Sequence, residues 1–222
     1  MIFLAKLLDN QTARWLFQLF FLILFGFLAL QGTIQVWLFI LLAGIILSPF
    51  WGRVFCGWVC PMCTVFRGIN WVYKKLSLDR LTWPSFLQKR GIRWFILILF
   101  VGIMIIGRRA GVELDMLLYV FALSIVFTLF FREPFWHRNV CPYGAPLSLA
   151  GKTARNHLEV NKDKCTGCGL CDRVCPSMAI SETNRGKREI DPAECLVCGQ
   201  CKKVCPTGAI DWNGYMTDNT TA

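Results

Sequence analysis

Long apolar runs without a single Lys, Arg, Asp or Glu dominate the first two thirds of the chain. They lie at 15–30, 34–50, 94–106 and 116–131. A buried helix of a water-soluble core carries a polar face, which these runs lack. With its flanks, each run approaches the ~20 residues that span a bilayer. The pattern therefore predicts two hairpins of transmembrane helices, at about 14–31, 33–51, 92–107 and 113–132.

The pattern changes near Gly151, where apolar runs give way to short polar stretches with closely spaced cysteines. Eight of the twelve cysteines form two matching runs. The runs are Cys165-x2-Cys168-x2-Cys171-x3-Cys175-Pro176 and Cys195-x2-Cys198-x2-Cys201-x3-Cys205-Pro206. This is the spacing of bacterial two-cluster ferredoxins, in which three close thiolates bind one [4Fe–4S] cluster and the fourth cysteine binds the other.

The spacing predicts two sets of cluster ligands. The first set is Cys165, Cys168, Cys171 and Cys205, and the second is Cys195, Cys198, Cys201 and Cys175. Zinc is the competing metal for paired Cys-x2-Cys motifs. Two complete runs that each end in Cys-Pro favour iron–sulfur, and a reducing cytoplasmic location disfavours disulfides.

These patterns predict a fold class for each part of the chain. An integral membrane all-α domain is expected at 1–151, followed by a small α+β two-cluster ferredoxin domain at 152–212 and a flexible tail at 213–222. About 60 residues bury little apolar surface of their own, so the clusters are expected to act as the core of the second domain.

Composition and charge agree with a membrane protein. Of the 222 residues, 55% are hydrophobic and 17% charged, and this excludes an ordinary water-soluble globule and a disordered chain. Most of the net charge of +10 lies between the two hairpins. The sequence contains no nucleic-acid-binding motif, so this charge does not indicate a nucleic-acid partner. The positive-inside rule then predicts cytoplasmic termini, a cytoplasmic 52–93 segment and a cytoplasmic ferredoxin domain, in a bacterial-type inner membrane.

The two predicted hairpins repeat each other. Each opens with Arg-Trp, at Arg14 and Arg93, and each ends near Val-Cys-Pro. The aligned ends are 55–61, Phe-Cys-Gly-Trp-Val-Cys-Pro, and 136–142, Trp-His-Arg-Asn-Val-Cys-Pro. Because both copies begin and end on the same side, they predict a parallel repeat about an axis along the membrane normal.

Four cysteines remain outside the ferredoxin runs: Cys56, Cys60, Cys63 and Cys141. The Cys-x3-Cys-x2-Cys spacing of the first three occurs in radical-SAM enzymes, but no large barrel follows. Three hypotheses stay open, namely a third iron–sulfur centre at the membrane face, redox thiols or quinone-site residues without metal, and four buried small hydrophobes. Their position at two equivalent membrane exits favours a metal or redox role.

His137 occupies the position in the second copy that Cys56 occupies in the first. It is a candidate cluster ligand and a candidate relay for the proton of a quinol. An interfacial histidine satisfied by the backbone is the alternative.

The combination of features resembles the NapH/NosR/MauN family of membrane polyferredoxins. The features are four membrane helices, Cys-x3-Cys-Pro after the second, Cys-Pro after the fourth, and a terminal two-cluster ferredoxin. Members typically carry Cys-x3-Cys-Pro in both copies, whereas His137 replaces one cysteine here. The resemblance implies electron transfer between the quinone pool and iron–sulfur partners in anaerobic respiration, as in a quinol dehydrogenase subunit of an oxidoreductase complex.

The sequence therefore predicts a membrane-bound protein that relays electrons between the quinone pool, or a membrane partner, and a redox partner. One alternative is an accessory factor that supplies electrons for assembly or maintenance of another metalloprotein. Another is a structural subunit whose clusters only connect two other redox subunits.

Overall fold

The computed structural model describes residues 10–81, 90–110 and 115–213. The expected tail beyond residue 213 and the start of the fourth expected helix at 113 lie outside these ranges. The first part of the chain is helical. Its elements are α1 (Gln11–Leu30), α2 (Val36–Trp51), α3 (Val54–Trp58), α4 (Pro61–Lys75), α5 (Arg90–Arg109), α6 (Met116–Phe130), α7 (Glu133–Phe135), a π-helix (Trp136–Val140) and α8 (Gly144–Gly151).

A helix covers each of the four apolar runs. The side chain of Asn10 accepts hydrogen bonds from the backbone N–H groups of Thr12 and Ala13 and so caps the start of α1. By length and composition, α1 is long and apolar enough to cross a membrane, and it is the one helix of that kind in the described ranges. Helices α2 and α6 and the 91–107 part of α5 are shorter and apolar.

The polarity of this helical part is reversed relative to a water-soluble domain. The polar side chains of Gln18, Ser48, Ser124 and Thr128 are fully buried between helices. Large apolar side chains point outward on α1, α2, α5 and α6, among them Leu16, Phe20, Ile23, Leu30, Phe39, Ile46, Phe95, Ile98, Ile106 and Leu123. An exposed apolar surface of this extent is typical of a face that contacts lipid or another protein.

The cysteine-rich part consists of two antiparallel strand pairs and two short helices. Its elements are β1 (Leu158–Val160), α9 (Leu170–Arg173), β2 (Ile180–Glu182), β3 (Arg188–Ile190), α10 (Gln200–Val204) and β4 (Ile210–Trp212). Strand β1 pairs with β4, and β2 pairs with β3. The inward residues of the strands form one buried cluster with Cys165, Cys171, Cys195 and Cys201, and Cys175 and Cys205 pack against it. The apolar side chains therefore surround the places where the sequence predicts metal.

Two arginines of the predicted cytoplasmic 52–93 segment are buried. Arg53 is 0% and Arg93 is 3% exposed, and both bind the carboxylate of Glu194 in the ferredoxin part. Their charge therefore joins the two parts of the chain.

Candidate metal centres

The ferredoxin part contains two cysteine-lined cavities. The first is lined by Cys165, Cys168, Cys171 and Cys205, and the second by Cys175, Cys195, Cys198 and Cys201. Each cavity thus takes three cysteines from one run and the last cysteine of the other. The structure brings each predicted ligand set together around its own cavity.

The backbone around these cavities suits thiolate ligands. In both copies, backbone N–H groups donate to the sulfurs of the first and last cysteine of the run. The N···S distances are 3.4 Å for Gly167–Cys165 and Val197–Cys195, 3.2 Å for Ala179–Cys175 and 3.3 Å for Ala209–Cys205. Such bonds stabilise the negative charge of a cluster and tune its potential.

Backbone crowding around the first cavity requires glycine. Gly167 has a φ of +75°, and a Cβ there would lie 2.3 Å from the carbonyl oxygen of Gly186. Val197 occupies the equivalent position of the second run with a φ of 54°. A β-branched residue in this region is strained, and such strain is held in place only by the surrounding packing.

A third cavity lies where the two hairpin motifs meet. It is lined by Cys56, Cys60, Cys63 and Cys141, and by His137. The rest of the wall is apolar or aromatic and consists of Phe25, Trp37, Leu41, Phe55, Pro61, Met62, Leu117 and Tyr143. In the described part of the chain, no three His, Cys, Asp or Glu side chains converge on one point as ligands of a single metal ion would.

His137 is buried and has side-chain partners. Its Nε2 atom lies 3.6 Å from Sγ of Cys63 and 3.2 Å from Oε1 of Glu133. Glu133 also accepts a hydrogen bond from Asn70, which in turn accepts one from Arg80. The contacts of the His137 ring are therefore different from those expected for an interfacial histidine satisfied by the backbone.

Burial and hydrogen bonding shift the pKa values of cysteines in the third cavity. Burial raises the pKa of Cys56 to about 11 and that of Cys141 to about 12. The hydrogen bond from Cys63 lowers the pKa of Cys60. The apolar cavity thus keeps the Cys56 and Cys141 thiols protonated unless a cation compensates the thiolates.

The loop of Cys56 and Cys60 packs directly against the loop of Cys195 and Cys198. Nε of Arg14 and the side-chain amide of Gln18 donate to the carbonyl oxygen of Gly57, at 2.9 and 2.8 Å. Arg14 also donates to the carbonyl oxygen of Cys198 at 2.6 Å. A Cβ on Gly57 would lie 2.0 Å from the carbonyl oxygen of Leu196, so only glycine permits this approach.

A buried ion network forms a second link between the two parts. Glu194, next to the ligand Cys195, accepts hydrogen bonds from Arg53 at 2.9 Å and from Arg93 at 2.7 and 2.8 Å. Nη2 of Arg53 lies 3.9 Å from Sγ of Cys56. Arg53 thus stands between the third cavity and the ferredoxin part.

The internal repeat is visible in these contacts. Nε of Arg14 donates to the carbonyl oxygen of Gly57, and Nε of Arg93 donates to that of Arg138 at 2.7 Å. Gly57 and Arg138 are equivalent positions, one residue after Cys56 and His137. The Arg-Trp repeat was therefore the sequence signal for Arg14 and Arg93 as linking residues. No comparable local signal marks Glu194.

Comparison with protein families supports iron–sulfur chemistry in both parts of the chain. A family described as 4Fe-4S binding domain matches residues 33–79 and again residues 114–161. A family described as 4Fe-4S dicluster domain matches residues 164–209. The double match of one family covers the two hairpin motifs, which supports the internal repeat.

Curated relatives identify the kind of protein. The chain is 29% identical to the methylamine utilization ferredoxin-type protein MauN of Paracoccus denitrificans, over 67% of this chain and 54% of that protein. It is 27% identical to the ferredoxin-type protein NapH of Haemophilus influenzae, over 58% of this chain and 49% of that protein. The 4Fe-4S domains and these relatives support a ferredoxin-type protein of the MauN and NapH type. It is thus related to iron–sulfur electron-transfer proteins.

The similarity to MauN and NapH has a defined extent. The chain spans about half the length of these relatives. It is also 30% identical to an uncharacterized protein of Methanocaldococcus jannaschii, over 60% of this chain and 54% of that protein. No solved structure matches the chain.

Proposed function

We propose that this MauN- and NapH-type chain is a multi-pass membrane protein whose four apolar helices cross the bacterial inner membrane as two hairpins. The outward apolar side chains of α1, α2, α5 and α6 and the buried polar side chains between them support this topology. The ferredoxin part then lies on the cytoplasmic side, below the ends of α2 and α6, where Arg53 and Arg93 hold it.

The function proposed for the ferredoxin part is electron transfer through two [4Fe–4S] clusters. The observation that carries it is the pair of cavities, each surrounded by four cysteines from both runs. When bound, each cluster supplies reversible one-electron transfer. The protein positions the thiolates, donates N–H groups to them and excludes water with the strand side chains.

Exchange of ligands between the two runs gives a direct test of these sites. The double variant Cys165→Ser/Cys205→Ser is expected to lose about four Fe per chain, since both residues line one cavity. The variant Cys165→Ser/Cys175→Ser is expected to lose about eight, since these residues line different cavities. Iron analysis of the anaerobically purified protein measures both. The reverse order would assign the ligands run by run and contradict the crossed arrangement.

A quinol is the proposed electron source at the membrane side. A cavity of about 430 Å³ lies beside Cys63 and is lined by Arg14, Arg67, Lys74 and Glu133. Oxidation of one quinol to quinone releases two electrons, one for each ferredoxin cluster, and two protons. The basic wall favours an anionic quinol, which has already released one proton to water, and Glu133, in contact with His137, would accept the other.

The quinol proposal is tested with the purified full chain. Addition of a reduced quinol under anaerobic conditions is expected to reduce the clusters, as seen by EPR. The Glu133→Gln variant is expected to slow this reduction at least about tenfold, in the range of a lost general base. Intact clusters that stay oxidised would contradict quinol oxidation and favour the accessory role, in which the protein supplies electrons for assembly of another metalloprotein.

A further inference from the structure

We propose that the third cavity holds an iron–sulfur cluster of its own, ligated by Cys56, Cys60, Cys63 and Cys141, next to the ferredoxin cluster bound by Cys195 and Cys198. The inference does not depend on a quinol, because it concerns what these four cysteines bind. It adds a redox centre at the membrane face to the two predicted from the ferredoxin runs.

The third cavity has the same construction as the two ferredoxin cavities. All three are lined by four cysteines, with the fourth cysteine brought in from a distant part of the chain. In the third cavity that residue is Cys141, from the second hairpin motif, while Cys56, Cys60 and Cys63 come from the first.

The backbone places the ligands as the chemistry requires. Cys60 precedes Pro61, the first residue of α4, and Cys63 lies in the first turn of that helix. Cys141 directly follows the π-helix, and Pro142 ends it. The two Cys-Pro steps thus direct both hairpin motifs toward one cavity, which explains why the repeat keeps Cys60 and Cys141 in equivalent positions.

The loss of one cysteine in the second motif is compensated within the first. His137 replaces the cysteine expected at that position, but its Nε2 atom lies against Sγ of Cys63 and Oε1 of Glu133. We assign His137 a positioning role, as the contact of the Cys63 sulfur. Cys63 itself is the ligand that completes the set with Cys56, Cys60 and Cys141. The ligand count thereby stays at four.

Buried positive charge is available to balance the thiolates. The fully buried Arg53 guanidinium has Nη2 3.9 Å from Sγ of Cys56. Its Nε–H is buried without a hydrogen-bond acceptor among the described residues. An anionic cluster beside Arg53 would use this charge, because four thiolates in an apolar cavity require compensation.

The cavity also lies in the right place for electron exchange with the ferredoxin part. Cys56 and Cys63 belong to one buried cluster with Leu196 and Cys198, so no solvent layer separates the two loops. The indole N–H of Trp58 donates to the carbonyl oxygen of Val197 at 3.1 Å and closes the same contact. A one-electron centre in the third cavity would thus be adjacent to the cluster of the second run.

Iron stoichiometry decides the proposal. Three cubane clusters give about twelve Fe per chain, whereas the ferredoxin runs alone give about eight. The anaerobically purified full chain is expected to contain about twelve, with Mössbauer spectra that show all of the iron in clusters. A value of about eight in protein whose ferredoxin EPR signals are complete would overturn the proposal.

Two variants locate the additional iron. Cys141→Ala is expected to lose about four Fe while both ferredoxin EPR signals remain. Gly26→Ala in α1, where an added Cβ meets nothing within 4 Å, serves as the control and is expected to lose none. If Cys141→Ala retains all of its iron, the third site is not there. A protein that contains about twelve Fe but does not react with quinol would support this proposal and contradict the quinol function, so the two failures are distinguishable.

A readout other than iron content tests the positioning role of His137. His137→Ala is expected to shift the midpoint potential of the third centre, because the Cys63 sulfur loses its contact with the ring Nε2 atom, 3.6 Å away. His137→Gln retains a polar side chain at this position and is expected to restore part of the shift. Equal potentials in both variants and the unmodified protein would contradict the role.

Discussion

Replacement of Gly57 by alanine is expected to separate the two cysteine loops and to lower the free energy of unfolding by about 3 kcal/mol or more. The new Cβ would lie 2.0 Å from the carbonyl oxygen of Leu196, and backbone cannot yield as a flexible side chain does. Overpacking alone typically costs about 1–3 kcal/mol. Displacement of the loop would also break the hydrogen bonds that Arg14 and Gln18 donate to Gly57.

Gly68 provides the matched control for this substitution. It lies inside α4, and a Cβ added there meets nothing within 4 Å. Gly68→Ala is expected to leave stability unchanged or raise it by up to about 1 kcal/mol, since alanine has the higher helix propensity. Thermal unfolding of both variants in the same detergent gives the comparison. Equal unfolding temperatures for the Gly57 and Gly68 variants would show that the two loops are not in close contact.

Local sequence patterns were sufficient to predict the helices and the grouping of the ferredoxin cysteines. Uncharged apolar runs predicted a helix in each of the four segments, because runs of this length are too long for a buried strand. Cysteine spacing grouped the residues around the two ferredoxin cavities, since the Cys-x2-Cys turns and the distant Cys-Pro step are encoded locally. The family resemblance drawn from the same motifs was confirmed by the MauN and NapH relatives.

The contacts between the two parts of the chain could not be predicted from local sequence patterns. Glu194 lies 141 residues from Arg53 and 101 from Arg93 along the chain. No periodicity relates such positions, and the basic residues before the second hairpin fit the positive-inside rule equally well. The charge pattern therefore did not predict that Arg53 and Arg93 are buried against Glu194.

The gathering of the four remaining cysteines shows an intermediate case. Cys60 and Cys141 occupy equivalent positions of the two hairpin motifs, and both line the third cavity. The contact of His137 with Cys63 was not predicted, because Cys63 has no counterpart in the second motif. An asymmetric residue of a repeat needs the three-dimensional arrangement before its partner is known.

Replacement of Glu194 by glutamine is expected to lower the free energy of unfolding by about 3–5 kcal/mol. The variant keeps the size of the side chain but leaves the buried Arg53 and Arg93 without a counter-charge. One oxygen becomes an NH2 group that faces guanidinium donors, so at least one of the three short hydrogen bonds to the arginines is lost. Denaturant unfolding in detergent measures the change.

The size of this effect follows from the burial of Glu194. An exposed carboxylate in an ion pair, Glu182, provides the control. Glu182 pairs with Arg188 at 3.0 Å, but its side chain is 57% exposed. Water screens such a pair, so Glu182→Gln is expected to cost no more than about 1 kcal/mol. If Glu194→Gln costs as little, Glu194 does not hold the ferredoxin part to the helices. A large loss confined to Glu194→Gln would show that one buried carboxylate fixes the ferredoxin part against the third cavity, where Arg53 also contacts Cys56.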